Sequence, residues 1–251
     1  MLFLVGLGLS VVDIPIGAIE VCKRCDLYID NFTSFVTEEI TDYIRSETGK
    51  QMFELSRPDM EENVKEIVKR ASGKDIAILV GGDPLMATTH KIIYIESKRQ
   101  GVTIEIIHAN SIITTAIGES GLDFYRFGAP CTIPDWSEHY SPVSFYEKLY
   151  VNLRNNEHTI MLLDYNPKAK RTLTVSEAVE KLLAAESHYK KGIISYSTKI
   201  IIMHNMSQSG KKIIMSTIGA AKPETYEGIN ILILPAALSD VENKAVSSII
   251  G

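Results

Sequence analysis

The N-terminal part of the chain alternates short apolar runs with segments whose apolar positions recur at helical spacing. A continuous apolar run is typical of a strand covered on both faces of a sheet, and an apolar stripe every three or four residues is typical of a surface helix. The predicted strands lie at residues 2–7, 27–30, 52–55, 76–80 and 103–107. The predicted helices lie at residues 15–25, 37–45 and 87–99, with a further helix that starts at 56–59 and has its inward face at Met60, Val64, Ile67 and Val68. This alternation predicts a mostly parallel α/β sheet.

The second half of the chain has a different pattern. Strands are predicted at residues 129–133, 159–163, 199–204, 213–216 and 229–234. Helices are predicted at residues 111–118, 141–156, 176–188 and 238–249. Because the last three strands follow one another with little helix between them, they allow antiparallel neighbours and a mixed sheet. We therefore expect two α/β domains, at residues 1–112 and 113–251.

Composition and charge narrow the classes of function. The 251 residues carry a formal net charge of −5, which excludes a broadly basic nucleic-acid surface, so no direct nucleic-acid partner is expected. No apolar run approaches the ~18 residues of a membrane span. The apolar residues 1–12 contain no positive charge, which favours a buried strand over a signal peptide. Three cysteines do not support a disulfide framework, so a reducing cytoplasm is the expected location.

Two glycine turns follow predicted strands, at residues 6–10 and 81–84. Since ligands of open α/β sheets bind outside the carboxyl ends of the strands, both turns should face one crevice. The dinucleotide fingerprint is incomplete because Val11 stands where a third glycine is needed. A tight turn without a ligand and a turn whose backbone faces another small ligand both stay open. Asp83 has two interpretations as well: an acceptor for ribose hydroxyls or an ammonium group, or a carboxylate that caps the next helix.

Other chemistry-bearing residues favour structural roles. Cys22 and Cys25 form a CxxC near the end of a predicted helix, but zinc needs more ligands and the remaining thiol is Cys131, so we expect core cysteines. The six histidines show no close ligand pair, and no metal site is predicted. The basic residues at 168, 170 and 171 indicate a solvated loop or, alternatively, a patch for an acidic partner.

Four segments resemble the diphthine synthases, which belong to the tetrapyrrole methylase-like (class III) methyltransferases. The segments are GLGL at residues 6–9, LSRPD at 55–59, GDPLMATTH at 82–90 and HANSI at 108–112. The GDP-x-x-ATTH stretch is the most specific of them. Residues 30–34 also resemble the acidic-x-aromatic-Thr-Ser segment of that family. The spacing between the segments is kept, and the resemblance covers nearly the whole chain.

The resemblance implies two α/β domains with S-adenosylmethionine in the cleft between them, and a homodimer. It implies methylation of the amino group of a modified histidine on translation elongation factor 2. Archaeal members trimethylate that amine to give diphthine, eukaryotic members add a methyl ester, and this compact chain resembles the archaeal form. The cofactor contacts that the resemblance implies are Leu9, Asp83, Met86, Ser111, Ile112, Leu163, Met206 and Asn230.

Two segments depart from the pattern of the family, and both are expected to affect the adenine side of the pocket. Residues 235–239 read PAALS where relatives carry Pro-Gly-x-Leu-His, and Met206-Ser207 stands where Ala-Gly is usual. Methyl transfer from a sulfonium depends on alignment rather than on a side-chain nucleophile, so no catalytic residue is assigned. Asp30 either holds the substrate amine or is a plain strand-end carboxylate. The alternative functions are a class III methylase acting on a corrinoid or tetrapyrrole, and a cofactor-binding module without turnover.

Overall fold

Both halves of the chain fold as α/β units in a computed structural model, which describes residues 1–137, 140–166, 169, 171–223, 226 and 228–250. The chain consists of two compact units, residues 1–112 and residues 113–251. Each unit has its own sheet. Among the described residues, no helix is long and apolar enough to cross a membrane.

The N-terminal unit is built on a parallel sheet. Its strands are β1 (Leu2–Gly6), β2 (Asp26–Asp30), β3 (Met52–Leu55), β4 (Ile76–Val80) and β5 (Ile104–Ile107). Its helices are α1 (Ile16–Arg24), α2 (Glu38–Thr48), α3 (Arg57–Glu61), α4 (Val64–Arg70) and α5 (Lys91–Arg99). The strand order is β3-β2-β4-β1-β5 and the pairings are parallel, which confirms the predicted sheet.

Alternation along the strands explains why this sheet is buried on both faces. In β1, Phe3 and Val5 belong to one apolar cluster, whereas Leu2 and Leu4 belong to the cluster on the other face. Successive side chains of a strand point to opposite faces, so a continuous apolar run supplies both clusters. Because β1 pairs in parallel with β4 and β5, the carboxyl ends of these three strands emerge at one edge of the sheet.

Two predicted helices differ from the observed ones. The helix predicted at residues 87–99 begins only at Lys91, because residues 84–90 form turns and Ala87 has a left-handed φ of 54°. The helix predicted from residue 56 is interrupted between Glu61 and Val64. Its start is confirmed, since Ser56 and Asp59 form a capping box.

The C-terminal unit is built on a mixed sheet. Its strands are β6 (Cys131–Ile133), β7 (Thr159–Leu163), β8 (Tyr165–Asn166), β9 (Arg171–Thr172), β10 (Lys199–His204), β11 (Lys212–Thr217) and β12 (Asn230–Leu234). Its helices are α6 (Ile112–Glu119, which begins at the boundary), α7 (Phe145–Arg154), α8 (Val175–Tyr189), α9 (Ile218–Ala221) and α10 (Asp240–Ile249). The strand order is β11-β10-β12-β7-β6, with β6 and β7 parallel and the other neighbours antiparallel. The mixed sheet is confirmed, whereas the short β8–β9 hairpin was not predicted.

Candidate functional site

The two glycine turns of the N-terminal unit meet at the carboxyl edge of its sheet. The Gly82 amide donates to the Gly8 carbonyl at 2.8 Å, and the Gly8 amide donates to the Gly82 carbonyl at 3.3 Å. A Cβ atom on Gly6 would lie 2.7 Å from the Gly82 carbonyl oxygen, so residue 6 must be glycine for the turns to approach. The predicted convergence of the two turns is confirmed.

A carboxylate that the sequence analysis missed supports the first turn. A Cβ atom on Gly8, whose φ is +70°, would lie 2.3 Å from the Cβ of Asp13. The Asp13 carboxylate accepts hydrogen bonds from the Leu9 amide and from the Ser10 hydroxyl, each at 3.3 Å. Asp13 therefore fixes the turn that carries Leu9. No sequence signal marked it, because its effect depends on the fold of residues 8–13.

The Asp83 carboxylate shapes the second turn. Its Oδ1 accepts from the Leu85 amide at 2.9 Å. Its Oδ2 contacts His108 Nδ1 at 2.8 Å and accepts from the Ala109 amide at 3.3 Å. These contacts join the turn after β4 to the segment after β5. The next helix begins only at Lys91, with His90 at its N-cap position, so Asp83 does not cap that helix and instead fixes the turn.

Asp30 and His90 form a buried pair beside these turns. Both side chains are fully buried, and Asp30 Oδ2 lies 2.6 Å from His90 Nε2. His90 Nδ1 lies 3.0 Å from the Pro84 carbonyl oxygen, so both ring nitrogens donate when Asp30 is ionised. Burial raises the pKa of Asp30, but the hydrogen bonds from His90 and Thr33 outweigh it and bring the pKa below its usual value. A buried, fully engaged carboxylate does not hold a substrate amine, so Asp30 is the strand-end carboxylate.

The loop after β2 packs on the second turn. Ser34 Oγ accepts from the Gly81 amide at 3.0 Å, and a Cβ on Gly81 would lie 2.3 Å from the Phe35 carbonyl oxygen. The loops that follow β1, β2, β4 and β5 thus interlock at one edge. A Cβ on Gly82 would make only ordinary van der Waals contact, with the Asn110 carbonyl oxygen at 3.9 Å as its nearest heavy atom, so this face of the turn is less crowded than those of Gly6, Gly8 and Gly81.

The eight predicted contact residues fall into two sets, one in each unit. Those of the N-terminal unit follow the carboxyl ends of β1, β4 and β5, and the structure brings them to one edge: Leu9, Asp83, Met86, Ser111 and Ile112. Those of the C-terminal unit also share one edge of their sheet: Leu163, Met206 and Asn230. Among them, Asn230 Oδ1 lies 2.9 Å from His204 Nδ1, so this amide ties β12 to β10.

The two departures from the family pattern lie in different places. Met206 and Ser207 follow β10 at the edge that holds Asn230. Residues 235–239 follow β12, at the other edge, where residues 235–238 line a cavity of about 410 Å³ together with Lys199 and Asn243. The five residues of β12 separate the two edges, so the two departures are not neighbours in this unit, and their effect on a cofactor pocket stays a prediction.

The backbone explains why glycine is usual at position 207. Ser207 has a φ of 60°, and a left-handed conformation costs a side-chain-bearing residue about 1–2 kcal/mol. We expect Ser207→Gly to raise the free energy of unfolding by roughly 0.5–1 kcal/mol, since the flexibility of glycine in the unfolded chain offsets part of the gain. Urea unfolding, monitored by the fluorescence of Trp136, measures this change in the free energy of unfolding.

Asn205→Gly is the control for Ser207→Gly. Asparagine tolerates the left-handed conformation that it has at φ 47°, and the Asn205 Oδ1 accepts a hydrogen bond from the Ile229 amide at 3.2 Å. An equal gain in both variants would contradict the explanation.

The remaining candidates have structural contacts or lie outside the described residues. Cys22 and Cys25 are buried to 0% and 1% exposure, which confirms the prediction of core cysteines. Burial raises the pKa of the Cys22 thiol to about 12, so the thiol is inert at neutral pH. Arg171 forms a two-bond pair with Glu177, and Lys168 and Lys170 lie outside the described residues.

Comparison with known proteins decides the family. The family model described as Tetrapyrrole (Corrin/Porphyrin) Methylases matches residues 1–222. The chain belongs to the tetrapyrrole methylase family. Within this family it is 33% identical to the diphthine synthase of Methanocaldococcus jannaschii, over 98% of this chain and 97% of that protein. It is 30% identical to the diphthine methyl ester synthase of Saccharomyces cerevisiae, over 93% of this chain and 84% of that protein.

Solved structures agree with these sequence relatives. A crystal structure of a diphthine synthase matches this tetrapyrrole methylase with a TM-score of 0.86 and 27% identity, over 99% of this chain and 95% of that one. The predicted resemblance and the methyltransferase class are confirmed, and the relatives favour the diphthine synthase interpretation over a corrinoid methylase or a non-catalytic module.

Proposed function

We propose that the protein transfers methyl groups from S-adenosylmethionine to the amino group of the 2-(3-amino-3-carboxypropyl)histidine intermediate on translation elongation factor 2, and that it trimethylates this amine to give diphthine. The observation that carries the proposal is the GDPLMATTH segment, whose Gly82 turn pairs with the Gly8 turn. Near full-length similarity to proteins named diphthine synthase supports it. The proposal includes a homodimer and a cytoplasmic location, where translation factors act.

The edge of the N-terminal sheet fits such a cofactor. Glycines at positions 6, 8 and 82 allow backbone segments to approach one another closely at the carboxyl ends of parallel strands, where α/β folds bind their ligands. The partly exposed Gly82 and the half-exposed side chain of Met86 lie at this edge. S-adenosylmethionine, when bound, supplies a methyl group on a sulfonium that is a good leaving group. We propose its contacts at Leu9, Asp83, Met86, Ser111 and Ile112 of this unit and at Leu163, Met206 and Asn230 of the C-terminal unit.

Alignment is the main task of the chain's own residues. Holding the nitrogen and the methyl carbon about 3–3.5 Å apart in line can lower the barrier by roughly 7–11 kcal/mol in favourable cases. The interlocked loops after β1, β2, β4 and β5 are suited to this, because their glycine contacts and buried polar pairs leave little freedom to shift. The chain therefore binds and orients, and needs no covalent intermediate.

Two measurements test the proposal. In calorimetric titration, we expect the protein to bind S-adenosylmethionine. In incubation of the protein with S-adenosylmethionine and elongation factor 2 that carries the aminocarboxypropyl histidine, mass spectrometry should show up to three methyl-sized steps on that residue. Elongation factor 2 with an unmodified histidine is the control and should gain none.

The outcomes separate the alternatives. Binding of the cofactor without any mass step on elongation factor 2 rejects the proposed substrate, and methylation of a corrinoid precursor instead would establish the other class III activity. Failure to bind the cofactor would reject both enzyme functions.

A further inference from the structure

His108 is a histidine at the candidate site with one ring nitrogen held and the other available. It follows β5, and its side chain is 65% exposed, whereas that of Asp83 is 8% exposed. The 2.8 Å contact between His108 Nδ1 and Asp83 Oδ2 fixes the ring. The Asp83 carboxylate also accepts from the Leu85 and Ala109 amides, so it is an acceptor and Nδ1 carries the proton. Within the described residues, no hydrogen bond engages Nε2.

The position of His108 is as important as its orientation. The next residue, Ala109, places its Cβ 2.9 Å from where a Cβ on Gly6 would lie, so the segment after β5 abuts the first glycine turn. Ser111 and Ile112, three and four residues after His108, are proposed cofactor contacts. An imidazole with a buried carboxylate on Nδ1 and a lone pair on an exposed Nε2 is the arrangement of a general base.

We infer that Nε2 of His108 accepts the proton of the substrate ammonium group before each methyl transfer. The inference rests on the proposed function. An alkylammonium nitrogen has no lone pair, so it must lose a proton before it can attack. Asp83, already in contact with Nδ1, stabilises the imidazolium that forms; it is a positioning residue for His108.

The atoms balance in every round. Nε2 takes one proton from the ammonium, and the freed lone pair forms the new N–CH3 bond while the S–CH3 bond breaks and its electron pair stays on sulfur. The nitrogen is then a methylammonium, which yields its next proton to His108 after the imidazolium has released the first to solvent. The third transfer leaves a quaternary ammonium without a proton, so three methyl groups require three proton transfers to His108.

The test compares His108→Ala with His188→Ala, an exposed histidine on α8 of the other unit. His108→Ala leaves Asp83 its bonds to Leu85 and Ala109, so the turn stays formed and the dissociation constant for S-adenosylmethionine should change less than about twofold. We expect kcat/KM at neutral pH to fall about 100-fold or more, the typical contribution of a general base. The acid limb of the pH profile should disappear, and added imidazole should restore part of the rate. His188→Ala should match the wild-type protein.

A second readout needs no turnover. Long-range proton–nitrogen spectra of the protein alone, at about pH 9 where imidazole is neutral, should show a proton on Nδ1 of His108 and none on Nε2. The reverse tautomer would overturn the inference. So would a His108→Ala variant with wild-type kcat/KM and pH profile, or one whose lost rate is explained by lost cofactor affinity and is not restored by imidazole. These results leave the proposed function intact when the wild-type protein methylates elongation factor 2; a wild-type protein that does not methylate it rejects the proposed function itself.

Discussion

Replacing Gly8 by alanine is expected to lower the free energy of unfolding of the N-terminal unit by about 2–5 kcal/mol. The left-handed φ of +70° accounts for about 1–2 kcal/mol of this loss. Overpacking accounts for about 1–3 kcal/mol more, because the new methyl group would lie 2.3 Å from the Cβ of Asp13 and 2.9 Å from its carbonyl oxygen. Since Asp13 also holds the Leu9 amide, the proposed cofactor affinity should fall in the same variant.

Gly49→Ala is the matched control for Gly8→Ala. Gly49 has a similar φ of +67°, but no heavy atom lies within 4 Å of where its Cβ would be. The Gly49→Ala variant should lose only the free energy of unfolding that the left-handed conformation costs, about 1–2 kcal/mol, and its cofactor affinity should not change. Urea unfolding monitored by far-UV circular dichroism measures the free energy of unfolding of both variants. Hydrogen exchange of the Leu7 amide, which donates to the Val80 carbonyl at 2.9 Å, reports the loss of stability near the turn. Equal losses in the two variants would show that the contact with Asp13 is not tight.

Replacing Glu242 by alanine is expected to lower the free energy of unfolding of the C-terminal unit by about 3–5 kcal/mol at pH 7, the usual cost of breaking a buried ion pair. The carboxylate is almost fully buried and pairs with Arg126. It also accepts from His158 Nε2 at 2.9 Å, from the Asp123 amide at 3.1 Å and from the Ser239 amide at 2.8 Å. Removal of Glu242 leaves the buried His158 Nε2 without its acceptor, and it also takes an acceptor from Arg126 and from the Asp123 and Ser239 amides.

The stability that Glu242 contributes depends on pH. Although burial raises its pKa, hydrogen bonds from Ser239, Asp123 and His158 outweigh burial and lower the pKa to about 2, from an ordinary value of 4.5. The folded state therefore binds the proton less readily than the unfolded state, so this contribution is present above about pH 4.5 and is lost as the pH falls toward about 2. The difference in free energy of unfolding between the wild-type protein and Glu242→Ala should therefore decrease as the pH falls from about 4.5 toward about 2.

A second glutamate, Glu177, allows the effect of burial on stability to be distinguished from the effect of helix capping. Glu177 is also the third residue of a helix with a capping box and also pairs with an arginine, but its side chain is 33% exposed and its partner Arg171 is 47% exposed. Glu177→Ala should therefore lose only about 1 kcal/mol at pH 7, because solvent screens the pair. The fluorescence of Trp136, the single tryptophan, follows the C-terminal unit in both variants. A similar loss of free energy of unfolding in Glu242→Ala and Glu177→Ala would contradict the conclusion that burial makes Glu242 the more important of the two.

Local patterns were sufficient for most elements of the fold. A short apolar run bounded by turn residues, such as residues 76–80, is typical of a buried strand, and Ser56, Thr174 and Ser239 cap helices through their own side chains. The predicted helix at residues 87–90 failed because side-chain contacts hold a turn there: the Pro84 carbonyl accepts from Thr88 Oγ1 and lies 3.0 Å from His90 Nδ1, and His90 Nε2 lies 2.6 Å from the distant Asp30 Oδ2. Alanine and threonine tolerate a helix, so the sequence alone carried no sign of this turn.

The amino-acid sequence by itself determined the alternating architecture, the two glycine turns and the family, because periodicity, glycine placement and the GDPLMATTH spacing are local properties of the chain. Only the tertiary structure decided which polar groups meet. Asp30 and His90 are separated by 60 positions, and Asp83 and His108 by 25. Such pairs form because parallel strands deliver their carboxyl ends to one edge, and the order of strands that sets their neighbours is a property of the folded sheet.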